Sequence, residues 1–150
     1  MKKTLLLLAF VLFSMGFSPK PTTWVAIGDS ITYLNDHPNE AGNRITQGYL
    51  SLVKEKFPSL EVVNKGYNGW TAIRIAQEFA KLEIPKAEVY SIFLGTNDWW
   101  RGNPLGTIED YKTASGTSTV AGSFREIINQ IRNLNPQAKI ILITPMKRVD

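Results

Sequence analysis

A serine follows directly after a short apolar run near the start of the chain. Residues 24–27 lead into Gly28, Asp29 and Ser30. A buried parallel strand that ends in this way places the serine hydroxyl at the carboxyl edge of the sheet, where the ligands of open α/β sheets bind. A hydroxyl in that position can act as a nucleophile once a base removes its proton. We therefore interpret Ser30 as a candidate nucleophile, the alternative being a serine that only caps a turn or helix.

A glycine and an asparagine lie just beyond two later predicted strands. Gly69 precedes a predicted helix, and its backbone N–H can approach a substrate closely because no side chain intervenes. Asn97 carries an amide group that can donate a hydrogen bond. With the backbone N–H of Ser30, these groups supply three donors for the negative charge that develops on a carbonyl oxygen during ester hydrolysis. The alternatives are that Gly69 only permits a turn and that Asn97 only caps the loop or helix that follows it.

These residues lie in three short blocks that resemble the SGNH hydrolases, also called the GDSL esterase/lipase family. The matching blocks are Gly28-Asp29-Ser30-Ile31, Asn64-x-Gly66-x-x-Gly69-x-Thr71 and Gly95-x-Asn97-Asp98. The match covers about residues 24 to 145. The resemblance implies an esterase with a covalent acyl-enzyme, in which Ser30 is the nucleophile and Gly69 and Asn97 stabilise the oxyanion.

The fourth block of that family, Asp-x-x-His, supplies the general base and the carboxylate that orients it. The chain has a single histidine, His37, and Asp150 is not followed by a histidine. We therefore expect a chain that is incomplete at its C-terminal side and nearly inactive, because a hydrolase without its base keeps only about 10³- to 10⁴-fold acceleration over water. His37 would replace the base only within hydrogen-bond reach of Ser30, and otherwise it is a solvated loop histidine.

Strands and amphipathic helices alternate along the chain. The apolar patterns predict strands at residues 24–28, 61–64, 89–94 and 139–143, helices at residues 48–57, 71–82 and 119–133, and a loop at residues 99–118. Such alternation implies right-handed βαβ units and a parallel sheet covered on both faces. The expected fold is a flavodoxin-like, three-layer α/β/α domain, truncated after the fourth strand, with one face or edge of its sheet uncovered.

The first residues have the pattern of a secretory signal peptide. Lys2 and Lys3 precede an uncharged stretch at residues 5–13, and the small residues Ser14 and Gly16 follow it. This predicts a signal peptide at residues 1–16, a domain at residues 17–150 and a secreted or periplasmic protein that has no stable association with the membrane after cleavage. An uncleaved membrane anchor is the alternative.

The composition is that of a globular domain. Hydrophobic residues make up 43% of the chain and charged residues 20%, and cysteine is absent. Without Lys2 and Lys3, 15 basic residues face 13 acidic ones, a net charge of +2, and the basic residues are scattered. We therefore expect no nucleic-acid partner. The sequence shows neither a metal-ligand cluster nor a glycine-rich phosphate loop after a strand, so we also expect no metal or cofactor.

Aromatic residues adjoin two of the three blocks. Trp70 follows Gly69, and Trp99 and Trp100 follow Asp98. Their rings could stack on sugar rings, which favours an esterase that removes acetyl groups from carbohydrate, or they could pack the core or a loop. Two other functions stay open, a carbohydrate-binding relative without catalytic activity and a lysophospholipase or lipase.

The charged residues of these blocks have less distinctive patterns. Asp29 and Asp98 are predicted to hold the neighbouring loops through backbone hydrogen bonds. Arg101 could bind an acidic sugar or could pair with Asp98 or Glu109, and the sequence does not distinguish these.

Overall fold

Four parallel strands form one sheet in the computed structural model, which describes residues 20–44, 46–113 and 116–145. The strands are β1 (Thr23–Gly28), β2 (Glu61–Gly66), β3 (Val89–Phe93) and β4 (Lys139–Ile143). Their order in the sheet is β2-β1-β3-β4. The predicted parallel α/β fold is confirmed, since the strand order changes direction beside β1 as it does in doubly wound sheets.

Short helices connect the strands. They are α1 (Ser30–Tyr33), α2 (Tyr49–Lys56), α3 (Ala72–Glu78), α4 (Thr96–Trp100), α5 (Ile108–Lys112) and α6 (Val120–Leu134), with 3₁₀ turns at Leu34–Asp36, Pro38–Ala41 and Phe79–Lys81. The prediction of a loop over residues 99–118 was wrong, because the end of α4 and all of α5 lie within it. A reciprocal capping box between Thr107 and Asp110 starts α5.

The two faces of the sheet pack against different helices. On one face, Ile27 and Tyr90 are fully buried with Ile75 of α3 and Ile127 of α6. On the opposite face, Trp24 packs with Ala26 and with Leu50 of α2. Fully burying a large apolar side chain contributes about 1.5–3 kcal/mol. These two clusters therefore hold β1 and β3 in place, and the ends of those strands carry two of the three sequence blocks.

The edge strand β4 is less well covered. Ile141 and Leu142 lie on opposite faces of the sheet, and each is 50% exposed. This agrees with the uncovered edge that the sequence predicts. The predicted signal peptide, residues 1–16, lies outside the described residues. None of the helices in the described ranges is both long and apolar enough to cross a membrane.

Candidate active site

The three sequence blocks meet at the carboxyl edge of the sheet. Gly28, the last residue of β1, pairs with the last residue of β2 on one side and the last residue of β3 on the other. Ser30, Gly69 and Asn97 each lie within the first few residues after these strand ends. Because neighbouring strands are only about 4.8 Å apart, the segments that carry the three candidate residues begin side by side.

Ser30 is the first residue of α1. The Asp29 side chain caps this helix by accepting a hydrogen bond from the backbone N–H of Ile31 at 3.0 Å. The Ser30 side chain is half-buried, and no partner for its hydroxyl is found among the described residues. The cap therefore fixes the backbone around Ser30 and leaves its hydroxyl available to react.

Gly69 lies in a tight turn between β2 and α3. The backbone N–H of Trp70 donates to the carbonyl of Tyr67 at 3.1 Å, and Tyr67 donates to the carbonyl of Gly28 at 2.9 Å. Gly69 has a φ of +76°, and a Cβ added to it would meet nothing within 4 Å. Glycine is thus favoured here by the backbone conformation rather than by lack of space. Its N–H has no acceptor within the part of the chain that the structure describes.

Asn97 connects the third block to the second. Its side-chain Nδ2 donates to the carbonyl of Trp70 at 2.9 Å. A carbonyl accepts only from the nitrogen side of the amide, so this contact fixes which way the Asn97 amide points. One amide hydrogen is donated to Trp70, and no partner of the second is found among the described residues.

Asp98, in the third block, connects that block to Ala72, the residue that directly follows the second block. Its carboxylate is 2% exposed. It accepts from the backbone N–H of Ala72 at 2.7 Å and from Nδ2 of Asn103 at 3.1 Å. The first of these bonds satisfies one of the free N–H groups at the start of α3, and it ties α3 to α4.

Asp29 is buried as deeply as Asp98, at 1% exposure. Burial raises the pKa of Asp29 above its ordinary value, the hydrogen bond from Ile31 opposes the rise, and the nearby Asp98 carboxylate adds to it. Two buried carboxyl groups therefore interact electrostatically, Asp29 in the block of Ser30 and Asp98 in the block of Asn97.

Arg101 contacts the turn of the second block. Its Nη2 donates to the carbonyl of Gly69 at 3.1 Å. Neither Asp98 nor Glu109 pairs with it in the described structure. The structure therefore shows neither of the two ion pairs that the sequence left open, because the Arg101 guanidinium lies against the turn.

The aromatic residues divide into two groups. Trp70 packs against the main core, stacks on Tyr67 at a centroid distance of 4.8 Å and lies 4.0 Å below the guanidinium of Arg74. Trp99 and Trp100 are 56% and 60% exposed, with their rings edge to face at 5.3 Å. Core packing thus accounts for Trp70 but not for the two tryptophans of α4. Sequence reasoning missed Arg74, because Trp70 precedes the N-cap of α3 and its contact with Arg74 exists only once the turn has formed.

His37 is held against Tyr33 in this structure. Its Nδ1 lies 2.8 Å from the carbonyl of Tyr33, and its ring stacks on the Tyr33 ring at 3.9 Å. Nδ1 must carry the proton, since a carbonyl only accepts. No hydrogen bond joins His37 to Ser30 in the described ranges. The idea of a relocated base therefore receives no support.

A cavity of about 670 Å³ lies between α4, α6 and β4. Most of its lining is apolar, and the large side chains are Leu94, Trp99, Leu105, Phe124 and Leu142. It adjoins the segment that carries Asn97, since Thr96 and Asp98 also line it. Its volume is within the range of small-molecule sites.

Comparison with known sequences agrees with the three blocks. Residues 26–150 match the GDSL-like lipase/acylhydrolase family. The chain belongs to this family. No curated protein sequence matches it. The recognition made from Ser30, Gly69 and Asn97 is confirmed at the level of the family, although the comparison does not test the role of each residue.

Solved structures share the GDSL-like fold. A possible lipase from Chitinophaga pinensis is 59% identical with a TM-score of 0.83, and the match covers 85% of this chain and 49% of that one. LAE5, an alpha/beta hydrolase enzyme from the metagenome of Lake Arreo, is 26% identical with a TM-score of 0.54, over 85% of this chain and 62% of that one. The acetyl xylan esterase AlAXEase is 18% identical with a TM-score of 0.54, over 80% of this chain and 56% of that one. The chain thus spans about half the length of the Chitinophaga protein.

Proposed function

We propose that the protein is a serine ester hydrolase of the GDSL-like family. Ser30 attacks the ester carbonyl, and the N–H groups of Ser30 and Gly69 and the amide of Asn97 bind the oxyanion. The observation that carries this proposal is the 2.9 Å hydrogen bond from Asn97 to the carbonyl of Trp70, which holds the Asn97 amide beside the turn that contains Gly69. Removing one such donor typically costs roughly 10²- to 10³-fold in rate.

The reaction proceeds through an acyl-enzyme. A general base takes the proton of Ser30 as Oγ forms a bond to the carbonyl carbon, and the same group then protonates the departing alcohol as the ester C–O bond breaks. Water, deprotonated by that base, releases the acid and restores Ser30. In this proposal the base is the histidine of the fourth block of the family, since no hydrogen bond joins His37 to Ser30 in the described ranges.

The proposed substrates are short acyl esters, in particular acetyl groups on carbohydrate. The support is the pair of largely exposed rings, Trp99 and Trp100, which directly follow Asn97 and Asp98 along α4. Flat apolar rings suit the apolar faces of sugars, and an exported enzyme meets extracellular glycans. Export through a signal peptide at residues 1–16 is part of the same proposal.

A lipase or lysophospholipase is the second candidate. The apolar cavity of about 670 Å³ beside α4 favours it, because a long acyl chain needs an apolar channel close to the oxyanion donors. The two candidates predict opposite preferences for acyl length. An acetylesterase loses activity steeply beyond a few carbons, whereas a lipase gains activity as the chain lengthens.

The test is an assay of the product of the complete reading frame against aryl acetate, butyrate and decanoate and against acetylated xylo-oligosaccharides. Ser30→Ala should lower kcat by roughly 10⁴-fold or more, as loss of a serine nucleophile does in other hydrolases. Ser59→Ala is the matched control, since Ser59 is exposed and precedes β2 at the opposite edge of the sheet. Activity that survives Ser30→Ala would overturn the proposal, and sugar binding without turnover would identify a carbohydrate-binding relative.

A further inference from the structure

We propose that Arg101 is a positioning residue for the turn that presents the Gly69 N–H to the oxyanion. This inference rests on the proposed function. No hydrogen bond joins Arg101 to Ser30 in the described ranges, and Arg101 acts through the hydrogen bond of its Nη2 to the carbonyl of Gly69 at 3.1 Å.

Asn97 is the second residue of α4, and Arg101 directly follows the last residue of this helix as its C-cap. They are four residues apart, and the backbone N–H of Arg101 donates to the carbonyl of Asn97 at 3.1 Å, so their side chains project in the same direction. Asn97 binds the carbonyl of Trp70, and Arg101 binds the carbonyl of Gly69. Two consecutive carbonyls of the turn are therefore held by two side chains, one within α4 and one at its C-cap.

The turn needs such a restraint at Gly69. This residue has a φ of +76°, and a Cβ position built on it has no atom within 4 Å, so no neighbouring group packs against this side of Gly69. Glycine has the largest backbone freedom of any residue, so an unrestrained Gly69 would sample other φ values. Rotation about φ turns the Gly69 N–H relative to its carbonyl, and a fixed carbonyl therefore limits the directions available to the N–H.

Arginine suits this task. The guanidinium presents several donors in a rigid plane, which makes its hydrogen bond to a carbonyl well directed. A lysine in the same place would keep the charge but would present a single flexible ammonium group. The proposal thus predicts that Arg101→Lys restores only part of the effect lost in Arg101→Ala.

Kinetics distinguish positioning from direct contact with substrate. Loss of a group that only shapes the oxyanion turn lowers kcat and leaves KM nearly unchanged, because the interaction matters in the transition state. With an aryl acetate we expect Arg101→Ala to lower kcat by about 10-fold, less than the roughly 10²-fold or more of losing a donor outright, and KM to stay within about 2-fold. Arg44→Ala is the matched control, since Arg44 also donates to a backbone carbonyl, that of Ala41 at 3.2 Å. A raised KM with an unchanged kcat would overturn the inference.

Hydrogen–deuterium exchange makes the test independent of turnover. In the product of the complete reading frame, Arg101→Ala should speed exchange of the amides in residues 66–72 by about 10-fold, Arg101→Lys by less, and Arg44→Ala should leave them unchanged. Exchange in residues 66–72 at the wild-type rate would overturn the role of Arg101 whatever the activity. Activity that persists in Ser30→Ala, with faster exchange in Arg101→Ala, would instead mean that the proposed function fails while the restraint on the turn is real.

Discussion

Thr32 lies directly over Gly28, with no room between them for a methyl group. A Cβ added at Gly28 would overlap Oγ1 and Cβ of Thr32 and would come within 3.2 Å of the carbonyl of Phe93. The same holds at Gly66, where a Cβ would overlap the backbone of Tyr33. The helix that begins with Ser30 thus crosses the ends of β1 and β2 at two glycines, and those glycines decide how closely Ser30 approaches the sheet.

Gly66→Ala should therefore impair both stability and catalysis. The methyl group meets backbone rather than a flexible side chain, so α1 must move, and we expect the free energy of unfolding to fall by about 3 kcal/mol. Because a displacement of about 1 Å can cost roughly 10²-fold in rate, kcat should fall by about that factor. Denaturant titration and ester kinetics measure the two effects.

Gly42→Ala serves as control, since its φ is +62° and a Cβ there meets only Arg44 Nε at 3.9 Å. It should cost about 1 kcal/mol and leave kcat unchanged, and equal effects at the two glycines would contradict the argument.

Asn97→Ala should lower kcat strongly but lower the free energy of unfolding only slightly. The variant loses a donor to the oxyanion and the hydrogen bond to the carbonyl of Trp70. We expect kcat to fall by roughly 10²- to 10³-fold and the free energy of unfolding to fall by only about 1 kcal/mol. Kinetic assays with an aryl acetate measure kcat, and thermal unfolding measures the free energy of unfolding. If the fall in kcat were no larger than the fraction of unfolded protein accounts for, Asn97 would have a structural role only.

Asp98→Ala tests the connection between α3 and α4. The buried N–H of Ala72 and the amide of Asn103 both lose their acceptor. Leaving such groups unsatisfied costs about 1–3 kcal/mol each, so the free energy of unfolding should fall by about 3 kcal/mol in a denaturant titration. Thr71→Ala is the comparison, because Thr71 caps the same helix through the N–H of Arg74 at 3.1 Å. Loss of a cap costs about 1 kcal/mol, and a similar cost for both variants would argue against a special role for Asp98.

Several limits of the strands and helices could be predicted from the sequence because they depend on local patterns. The apolar run of β4 predicted its limits, residues 139–143, without error. The helix α3 was predicted to reach residue 82 but ends at Glu78, because the residues after it form a 3₁₀ turn whose apolar spacing resembles that of an α-helix. Helix α5 was missed because its five residues are too few to show a period, although Thr107 and Asp110 have the spacing of a capping box.

The partners of Arg101 and Trp70 could not be read in the same way. Whether Arg101 meets Gly69, Asp98 or Glu109 depends on how α4 lies relative to a turn about 30 residues earlier, and periodicity carries no such information. The same applies to Trp70, which is fixed by Tyr67 and Arg74 only once the turn has formed. Sequence blocks identified which residues gather at the sheet edge, whereas the contacts among them required the fold.

The buried carboxyl of Asp29 should make stability depend on pH. Burial raises the pKa of Asp29 in the folded protein above the ordinary 3.8, so the folded state holds this proton more tightly than the unfolded state. The free energy of unfolding therefore declines as pH rises from 3.8 through the raised pKa. In the variant Asp29→Asn, the side-chain amide oxygen would still accept the N–H of Ile31, and the amide carries no charge. We expect Asp29→Asn to be more stable than the wild type at pH 7 in denaturant titrations, with the difference vanishing as pH falls to 3.8.

Glu88→Gln is the control for this pH dependence, because it should show the opposite sign. The backbone N–H of Thr23 donates to the Glu88 carboxylate at 2.8 Å and holds the pKa of Glu88 below 4.5. The wild type should then be more stable than Glu88→Gln at pH 7, and its advantage should disappear as pH falls below 4.5. A pH profile of the same sign for Asp29→Asn and Glu88→Gln would contradict both assignments.

Trp99→Ala and Trp100→Ala distinguish a sugar-binding surface from simple packing. Both rings are more than half exposed, and loss of the edge-to-face contact between them should cost each variant about 0.5–1.5 kcal/mol of unfolding free energy. If the rings stack on sugar, KM for an acetylated xylo-oligosaccharide should rise by about 10-fold, the equivalent of about 1.4 kcal/mol, and KM for an aryl acetate should not change.

Phe57→Ala is the matched control, because Phe57 is 56% exposed and precedes β2 at the amino edge of the sheet, opposite the site. Equal changes for the sugar ester and the aryl ester would assign the two tryptophans to the acyl side of the site, and no change in either would remove them from substrate binding.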